Sequence, residues 1–364
     1  MPIPLSSFKQ EEVIDTMIET YESGVTGQSR SAKAWVARGP KQRLEFGTVD
    51  LGPLGDDEVE IAVESCGLCH SDLSVLNNEW GISQYPAILG HEAVGRVAAI
   101  GSHALDVKVG QRVGIGWSSG SCMHCRQCMS GNHNLCPEGQ FTIVGHRGGF
   151  ASHMRAHWAW AIPLPEGLNV ADAGPLLCGG VTVFSPLAMY AKPTSRVGIV
   201  GIGGLGHMAV KFAHAFGCDV TAFTSTEHKF DEARSFGADH VVASKDAAAI
   251  KKLAGSLDLI ISTVNVPLDW DAMVNALAPN ARLHTVGVVL EPIPVSAFSL
   301  IIGQRSVSGS PIGSPATFAT MLEFAARHNI APQTEHFPMS KINDAIARLE
   351  SGKARYRIVL DADF

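Results

Sequence analysis

The first half of the chain contains short runs in which apolar and polar residues alternate, the pattern of β-strands with one buried face. These runs cover residues 32–36, 58–63 and 93–101, and a shorter one follows at 110–114. Glycine, proline and aspartate between the first two runs, at residues 52–57, mark turns. The pattern predicts a barrel-like, β-rich domain in the first half of the chain.

The pattern changes near Pro193, where apolar strands begin to alternate with helical segments. Helices are predicted at residues 182–190 and 207–216 from their apolar periodicity. The predicted strands of this region cover residues 196–200, 219–223, 257–264, 281–287 and 306–310. Strands that alternate with helices indicate βαβ units around a parallel sheet, so the fold class predicted for the whole chain is α/β.

Residues 1–30 stand apart from both patterns. Ser7 and Gln10 have the spacing of a helix capping box, and apolar residues at 13–21 fall on one helical face. Residues 24–30 have the composition of a linker. We expect an N-terminal extension whose helix packs on the body of the protein or on a neighbouring subunit.

The composition of the chain limits the kinds of molecule that it is expected to bind. A chain of 364 residues predicts about two domains, and its 46% hydrophobic and 17% charged residues suffice for sizeable cores. The net charge of -7 argues against a nucleic-acid surface, which needs clustered Lys and Arg. No apolar run approaches the roughly 20 residues that span a bilayer, and the start does not resemble a signal peptide. We therefore expect a cytoplasmic protein with a small-molecule partner, no nucleic acid and no membrane.

A candidate metal site comes from the motifs that carry Cys69, His91 and Cys178. Sulfur and nitrogen donors together suit zinc, and a catalytic zinc keeps three protein ligands so that water or substrate takes the fourth position. Each residue alone is more simply read as a buried thiol or a core histidine. Eight cysteines in a cytosolic chain nevertheless point to metal ligation or reactivity rather than to disulfides.

A second group of cysteines has the pattern C-x2-C-x2-C-x7-C. Its members are Cys122, Cys125, Cys128 and Cys136. Four thiolates complete a tetrahedral shell and leave no position for substrate, so a zinc held there would be structural. Disulfides and an iron–sulfur cluster are the alternatives, since C-x2-C-x2-C partly matches the ferredoxin run. The seven-residue spacer favours zinc.

A glycine-rich motif follows the strand predicted at residues 196–200. It comprises Gly201, Gly203, Gly204, Leu205 and Gly206. With a strand before it and a helix after it, this G-x-G-x-x-G pattern indicates dinucleotide binding, because the turn lets backbone amides approach a pyrophosphate at the helix N-terminus. The motif therefore predicts a nicotinamide cofactor.

Residues at the end of the next predicted strand indicate whether the site prefers NADH or NADPH. An acidic residue there would bind the ribose hydroxyls of NAD. This chain instead has hydroxyl groups and a cation, at Thr224, Ser225, Thr226 and Lys229. These groups suit a 2'-phosphate and favour NADPH, although Glu227 lies just beyond the strand and argues the other way.

The motifs at residues 67–72 (GLCHSD) and 90–92 (GHE) resemble those of the zinc-dependent medium-chain alcohol dehydrogenases. The resemblance begins near Ser31 and is greatest for the cinnamyl-alcohol-dehydrogenase-like branch, within it for bacterial NADPH-dependent aldehyde reductases. Residues 78–81 (NEWG), 175–180 (PLLCGG) and 353–357 (KARYR) carry that part of it. It implies a GroES-like catalytic domain, a Rossmann domain with a doubly wound parallel sheet, NADP(H), and two zinc ions per chain, one catalytic and one structural.

The expected domain boundaries follow from these patterns. Helices predicted at 317–327 and 342–351, and a strand at 357–360, are expected to rejoin the first domain. The GroES-like domain would comprise residues 31–180 and 311–364, with a structural-zinc lobe at about 120–138. Residues 181–310 would form the Rossmann domain.

The resemblance also implies roles around the catalytic metal. Glu92 lies behind the zinc or replaces water on it, and Ser71 donates a proton to the developing alkoxide. Asp72 is expected to orient the ring of His91, as carboxylates commonly do for metal-bound imidazoles. Many relatives carry a relay histidine three residues after Ser71, where this chain has Ser74, so the outer proton path stays open between water, His70 and other groups.

Further cofactor contacts are implied at matching positions. They are His70 and Arg355 at the pyrophosphate, Thr182 at the nicotinamide face, and the strand ends that carry Thr263, Val264, Gly287, Ser308 and Gly309. Arg357 lies close enough in sequence to compete with Arg355 for its role. Trp80 and Trp117 are candidates for the walls of an apolar substrate pocket, or for plain core.

These features together predict a zinc-dependent, reversible transfer of hydride from NADPH to aldehydes that gives primary alcohols. The alternatives are a secondary-alcohol or polyol dehydrogenase on the same fold, and a dinucleotide-binding protein that has lost catalysis. A homodimer formed through the edge of the Rossmann sheet is expected from the resemblance.

Overall fold

The computed structural model describes residues 30–364 of the chain. The predicted N-terminal helix and most of its linker lie outside the described residues. Within residues 30–364, the helices are all too short or too polar to cross a bilayer.

Strands dominate the first half and the end of the described chain, as the alternating pattern predicts. The first nine are β1 (Ser31–Val36), β2 (Glu45–Asp50), β3 (Glu58–Leu68), β4 (Ala93–Ile100), β5 (Arg112–Ile115), β6 (Ser118–Gly120), β7 (Gln140–Phe141), β8 (His153–His157) and β9 (Ile162–Pro163). The others are β10 (Arg196–Val200), β11 (Asp219–Thr224), β12 (His240–Ala243), β13 (Leu257–Ser262), β14 (Leu277–Thr285), β15 (Ser306–Gly309), β16 (Thr334–Pro338) and β17 (Arg357–Asp361).

Helices are concentrated in the second half. In the described residues they are α1 (His70–Leu76), α2 (Arg126–Met129), α3 (Gly179–Tyr190), α4 (Gly206–Ala215), α5 (Phe230–Ser235), α6 (Ala247–Lys252), α7 (Trp270–Ala276), α8 (Ala297–Ile301), α9 (Pro315–Arg327) and α10 (Ile342–Glu350). Short 3-10 turns lie at His133–Leu135, Trp158–Trp160, Gly174–Leu177, Glu227–Lys229 and Met339–Lys341.

One sheet combines strands from both ends of the described chain. Its order is β16-β17-β3-β4-β5-β9, and β8 also pairs with β3. The last strand, β17, runs antiparallel to β3 and places Leu360 opposite Cys66. This sheet, with the β1-β2 hairpin beside it, forms the β-rich domain that the sequence predicts. Its core contains Ile61, Phe150 and Met154, all fully buried.

The second sheet is entirely parallel. Its order is β12-β11-β10-β13-β14-β15, which is the doubly wound order of a Rossmann domain. The middle strand β10 is buried on both faces after its first residue, because helices cover the sheet on each side. Since β16 and β17 return to the first sheet, we propose that the chain divides near residues 181 and 311.

Several predicted elements differ at their ends. Helix α3 begins at Gly179, three residues earlier than predicted, and β13 ends at Ser262, two residues before the predicted end. Helix α1 carries no long apolar stripe and was therefore missed. It is stabilised by Asp72, whose carboxylate accepts a hydrogen bond from the backbone N–H of Cys69 (2.9 Å) at the start of the helix.

Candidate active site

Four potential metal ligands lie close together beside strands β3 and β4 of the first sheet. Cys69 follows β3 directly, and His91 and Glu92 lie just before β4, whose Ala93 pairs with Cys66 of β3. Cys178 lies between the 3-10 turn at Gly174–Leu177 and helix α3. One donor atom from each of the four lies within 4.8 Å of the others, and all four side chains are buried. The structure thus brings together residues separated by up to 109 positions.

Asp72 fixes the orientation of His91. Its Oδ1 lies 3.0 Å from Nδ1 of the ring and accepts a second hydrogen bond from the backbone N–H of Gly90 (3.0 Å). A carboxylate accepts, so Nδ1 carries a hydrogen that it donates to Asp72, and Nε2 is the ring nitrogen left for another partner. Nε2 is buried and has no hydrogen-bond partner among the described residues. An orphaned, buried ring nitrogen among thiols is the arrangement that a metal ion would satisfy.

The two thiols of this group are hydrogen-bonded to each other. The sulfurs of Cys69 and Cys178 are 4.0 Å apart. The hydrogen bond from Cys178 lowers the pKa of Cys69 well below its ordinary value, against burial and with help from the charge of Arg357. The same hydrogen bond raises the pKa of Cys178. A thiolate beside an oriented imidazole is a suitable start for binding zinc, which takes sulfur only as thiolate.

Glu92 lies behind this group, in a space that a glycine provides. A Cβ at Gly67 would be 1.9 Å from Oε2 of Glu92, so only glycine lets the carboxylate occupy this position. Oε1 pairs with the guanidinium of Arg357, and Oε2 has no partner within the described part of the chain. Burial raises the pKa of Glu92 to about 7, although Arg357 opposes the shift.

Arg357 is the main site residue that sequence reasoning did not assign. It is buried at the start of β17, and Nη1 lies 3.7 Å from the sulfur of Cys69. A Cβ built at Gly204 of the glycine-rich turn would be 3.1 Å from Cδ of Arg357. Arg355, the predicted pyrophosphate contact, pairs with Glu232 (3.0 Å), and its role at the cofactor stays a prediction. The sequence did contain one signal for this role, an arginine at the start of the apolar strand β17. A cation that is buried with such a strand requires a specific partner.

The residues after Cys69 are placed by helix α1. The hydroxyl oxygen of Ser71 lies 3.8 Å from the sulfur of Cys69. Ser74 is buried, and its hydroxyl donates to Glu79 (2.8 Å), so it does not face Ser71 as a free relay group. His70 is exposed. Thr182 is buried in the first turn of α3, and its backbone N–H donates to the carbonyl of Cys178 (3.0 Å).

Aromatic rings cover one side of the metal-ligand group. The ring of Trp117 lies 5.2 Å from the ring of His91 and nearly perpendicular to it. Trp80 and Phe141 lie 5.9 and 5.8 Å from Trp117. Both tryptophans are partly buried, so their rings present an apolar surface next to the ligands.

The four clustered cysteines form a separate group outside the sheets. Their sulfurs all lie within 4.8 Å of one another. The Cys122–Cys128 and Cys125–Cys136 pairs are 4.0 and 3.9 Å apart, about twice the length of a disulfide bond, and all four thiols are free. Backbone N–H groups of Cys122 and Cys125 point at neighbouring sulfurs (3.4 and 3.3 Å). Such amide donors stabilise thiolates, and the donor set fits a closed zinc site.

The glycine-rich turn joins β10 to α4 as predicted. Gly201 has a φ of +90°, and a Cβ at Gly206 would be 1.7 Å from the carbonyl oxygen of Gly201, so both positions require glycine. Lys229 donates to the carbonyl of Ile202 (3.0 Å), which places its ammonium beside the turn. Glu227 is exposed in the 3-10 turn beyond β11.

The other predicted cofactor residues divide into two sets. The hydroxyl of Thr263 donates to the carbonyls of Val200 and Gly201 (2.9 Å each), so this side chain ties the turn to the sheet. The hydroxyl of Ser308 is bonded to His284 (2.9 Å). The remaining positions flank the turn or the carboxyl ends of the strands: Gly203, Gly204, Leu205, Thr224, Ser225, Thr226, Val264, Gly287 and Gly309.

Comparisons with known proteins agree with this geometry. Residues 55–166 match the alcohol dehydrogenase GroES-like domain, and residues 204–327 match the zinc-binding dehydrogenase family. The chain is 54% identical over 329 residues to the aldehyde reductase AdhA of Synechocystis sp., which covers 90% of this chain and 98% of that protein. It is 40% identical to the vomilenine reductase of Rauvolfia serpentina, over 91% of this chain and 94% of the relative.

Solved structures show the same architecture. A cinnamyl alcohol dehydrogenase from Sorghum bicolor superposes with a TM-score of 0.87 at 40% identity, over 91% of this chain and 98% of that one. The structure of CAD from Helicobacter pylori complexed with NADP(H) superposes with a TM-score of 0.83 at 30% identity, over 92% and 99%.

Proposed function

The chain belongs to the zinc-dependent medium-chain alcohol dehydrogenase family, in its cinnamyl-alcohol-dehydrogenase-like branch, and is an oxidoreductase of alcohols and aldehydes. From that premise we propose that it reduces aldehydes to primary alcohols with NADPH, reversibly and with zinc. The observation that carries the proposal is the buried, unpartnered Nε2 of His91 among two thiols, next to an aromatic surface.

Cys69, His91 and Cys178 would hold the catalytic metal, and Glu92 would lie behind it or replace water on it, so that the fourth position stays open for substrate. Zinc held there would supply a Lewis acid that stabilises negative charge on the substrate oxygen. Asp72 keeps His91 in the tautomer that a metal needs, since it holds the hydrogen on Nδ1. The cysteine group of residues 122–136 would hold the second, structural zinc.

NADPH is the proposed cofactor, and bound on the glycine-rich turn it would supply the hydride. Support comes from Thr224, Thr226 and Lys229, which present hydroxyls and a cation at the end of β11. A 2'-phosphate prefers such groups, and the acid that follows the strand, Glu227, is exposed in the 3-10 turn beyond it. The Helicobacter pylori relative complexed with NADP(H) agrees with this preference.

Side chains of this chain would donate a proton to the substrate and select which aldehydes bind. Ser71, next to Cys69, would donate a proton to the carbonyl oxygen as the alcohol forms. Ser74 is engaged by Glu79, so the outer proton path would run through water, His70 or another group. Trp117 and Trp80 would line an apolar pocket that accepts aromatic and aliphatic aldehydes of varied length.

We also propose a homodimer. Strand β15 ends the parallel sheet, and helix α8 next to it exposes large apolar side chains. Phe298, Ile301 and Ile302 are 70, 73 and 69% exposed, which is unusual for three neighbouring apolar residues of a monomer. A second copy that pairs along β15 would cover them. Sedimentation velocity at micromolar concentration should give twice the chain mass, and a monomer mass would contradict the proposal.

Initial rates test the proposed reaction. Benzaldehyde and butanal are reduced by the zinc-loaded protein with NADPH or NADH in parallel, before and after removal of zinc by a chelator. We expect activity with NADPH, weaker activity with NADH, and loss on chelation that added zinc restores. A preference for NADH would refute the interpretation of Thr224 to Lys229. Activity only with secondary alcohols or polyols would favour another member of the same family.

A further inference from the structure

A buried histidine beside the glycine-rich turn has no part in the proposed chemistry. His207 is the second residue of α4 and is 0% exposed. Its Nδ1 lies 2.9 Å from the carbonyl oxygen of Gly203, in the turn itself. Its Nε2 lies 3.1 Å from the backbone nitrogen of Gln333, which is 126 positions away and directly precedes β16 of the other sheet. The ring therefore connects the turn to the neighbouring domain.

The hydrogen bonds determine the tautomer of this ring. A backbone N–H only donates, so Nε2 of His207 accepts from Gln333, and Nδ1 must carry the hydrogen that it donates to Gly203. Burial lowers the pKa of His207 to about 3, so the ring is neutral at ordinary pH. The carbonyl of Gly203 also receives the backbone N–H of His207 (3.1 Å) and is held from two directions.

The far side of the ring is fixed by Tyr356. The two rings are stacked with centroids 5.0 Å apart and planes 16° from parallel. The hydroxyl of Tyr356 donates to Glu232 (2.5 Å), and the carbonyl of Gln333 accepts the backbone N–H groups of Tyr356 and Arg357 (3.0 Å each). His207 thus contacts both segments that position Arg357, the arginine that lies against Gly204 and Glu92.

We propose that His207 is a positioning residue for the dinucleotide, which fixes the glycine-rich turn at a set distance from the strand that carries Arg357. The donor arm to Gly203 orients the turn, and the acceptor arm to Gln333 sets the turn against the other domain. This inference rests on the proposed function, because it assigns a role toward NADPH. Its consequence is that the two arms affect different steps: the first affects binding of the dinucleotide, and the second its alignment with the substrate.

Two substitutions separate the arms. In His207→Asn the amide nitrogen takes the place of Nδ1 and keeps the donor to Gly203, but the acceptor for Gln333 is lost. In His207→Gln the amide oxygen reaches the place of Nε2 and keeps that acceptor, but the donor to Gly203 is lost. His214→Gln is the matched control, since His214 lies exposed on the same helix.

NADPH binding, measured by its fluorescence, and steady-state rates with benzaldehyde give the readouts. We expect His207→Gln to raise the Kd of NADPH roughly three- to tenfold, the effect of one lost hydrogen bond. His207→Asn should change the Kd less than twofold but lower kcat at saturating NADPH roughly three- to tenfold. A purely structural histidine would instead lower the melting temperature of both variants and leave both constants like those of His214→Gln.

The tautomer is tested without any substitution. Long-range 1H–15N NMR of protein with 15N-labelled histidine should show the hydrogen of His207 on Nδ1, with Nε2 unprotonated. A hydrogen on Nε2 would overturn the inference, as would Kd and kcat unchanged in both variants while the parent binds NADPH. A parent that binds no dinucleotide would overturn the proposed function, and this inference with it.

Discussion

Asp72→Asn is the substitution that tests most directly how the protein orients His91 for metal binding. In the parent, Oδ1 accepts from Gly90 and from Nδ1 of His91, and Oδ2 accepts from Cys69. Asparagine has the same size and keeps one oxygen, so the two bonds to Oδ1 are retained. Its NH2 group then faces the backbone N–H of Cys69, and two donors are opposed where one bond existed. The charge that makes His91 a strong ligand is also lost.

The magnitude follows from these losses. Removal of the partner that orients a metal-bound histidine typically lowers metal affinity tenfold to a hundredfold, about 1.4 to 2.7 kcal/mol. The unsatisfied N–H of Cys69 adds about 1 to 3 kcal/mol to the destabilisation of the fold. We therefore expect zinc at Cys69, His91 and Cys178 to bind about ten to a hundred times more weakly, with a lower melting temperature.

Zinc release to a coloured chelator is the assay. The cysteine group of residues 122–136 is untouched by the substitution, so any zinc that it holds serves as an internal reference. Asp246→Asn is the control. The carboxylate of Asp246 also accepts a backbone N–H at the start of a helix, from Ala249 (3.0 Å). Asp246 precedes helix α6 in the second half of the chain and is far in sequence from the metal-ligand group. Equal zinc affinity in Asp72→Asn and the parent would refute the reasoning about His91.

Three further predictions concern the pocket, the space behind the metal ligands, and pH. Trp117→Ala should lower kcat/KM for benzaldehyde roughly tenfold but for butanal less, because an aromatic pair contributes about 0.5–1.5 kcal/mol beyond its buried area; equal losses for both aldehydes would contradict this. Gly67→Ala should displace the carboxylate behind it and abolish most activity, whereas Gly47→Ala, where a Cβ meets nothing within 4 Å, should be neutral in a parallel rate assay. Burial lowers the pKa of His336, but hydrogen bonds to the two aspartates that flank it outweigh burial and raise it above 6.5. Its stabilisation is thus fully present below pH 6.5 and is lost as pH rises through the raised pKa, so melting temperatures of the parent and His336→Gln should converge at alkaline pH; a constant difference would contradict it.

The parts predicted well from sequence are those with local causes. The strand before Gly201, the tight turn and helix α4 form a contiguous pattern, so period and glycine spacing identified all three. The pairing of Asp72 with His91 was expected from ligand chemistry and is present at 3.0 Å. The role of both residues at a metal stays a prediction.

The parts that were missed depend on contacts between distant segments. Arg357 reaches Cys69 only because β17 pairs with β3, and the two residues are 288 positions apart. The hydroxyl of Thr263 turns back to the strand carbonyls, which no periodic pattern records. The bond from His207 to Gln333 likewise joins two domains, so local sequence gave no sign of it.

Isotope transfer tests the central claim most directly. Benzaldehyde is reduced by the zinc-loaded protein with NADPH that carries deuterium at the transferred C4 position, and the benzyl alcohol is analysed by mass spectrometry. The account predicts one deuterium at the alcohol carbon in every product molecule, and no product from Cys69→Ser protein that still binds NADPH. Alcohol without deuterium, or deuterated alcohol at the parent's rate from Cys69→Ser, would contradict hydride transfer at the site of Cys69, His91 and Cys178.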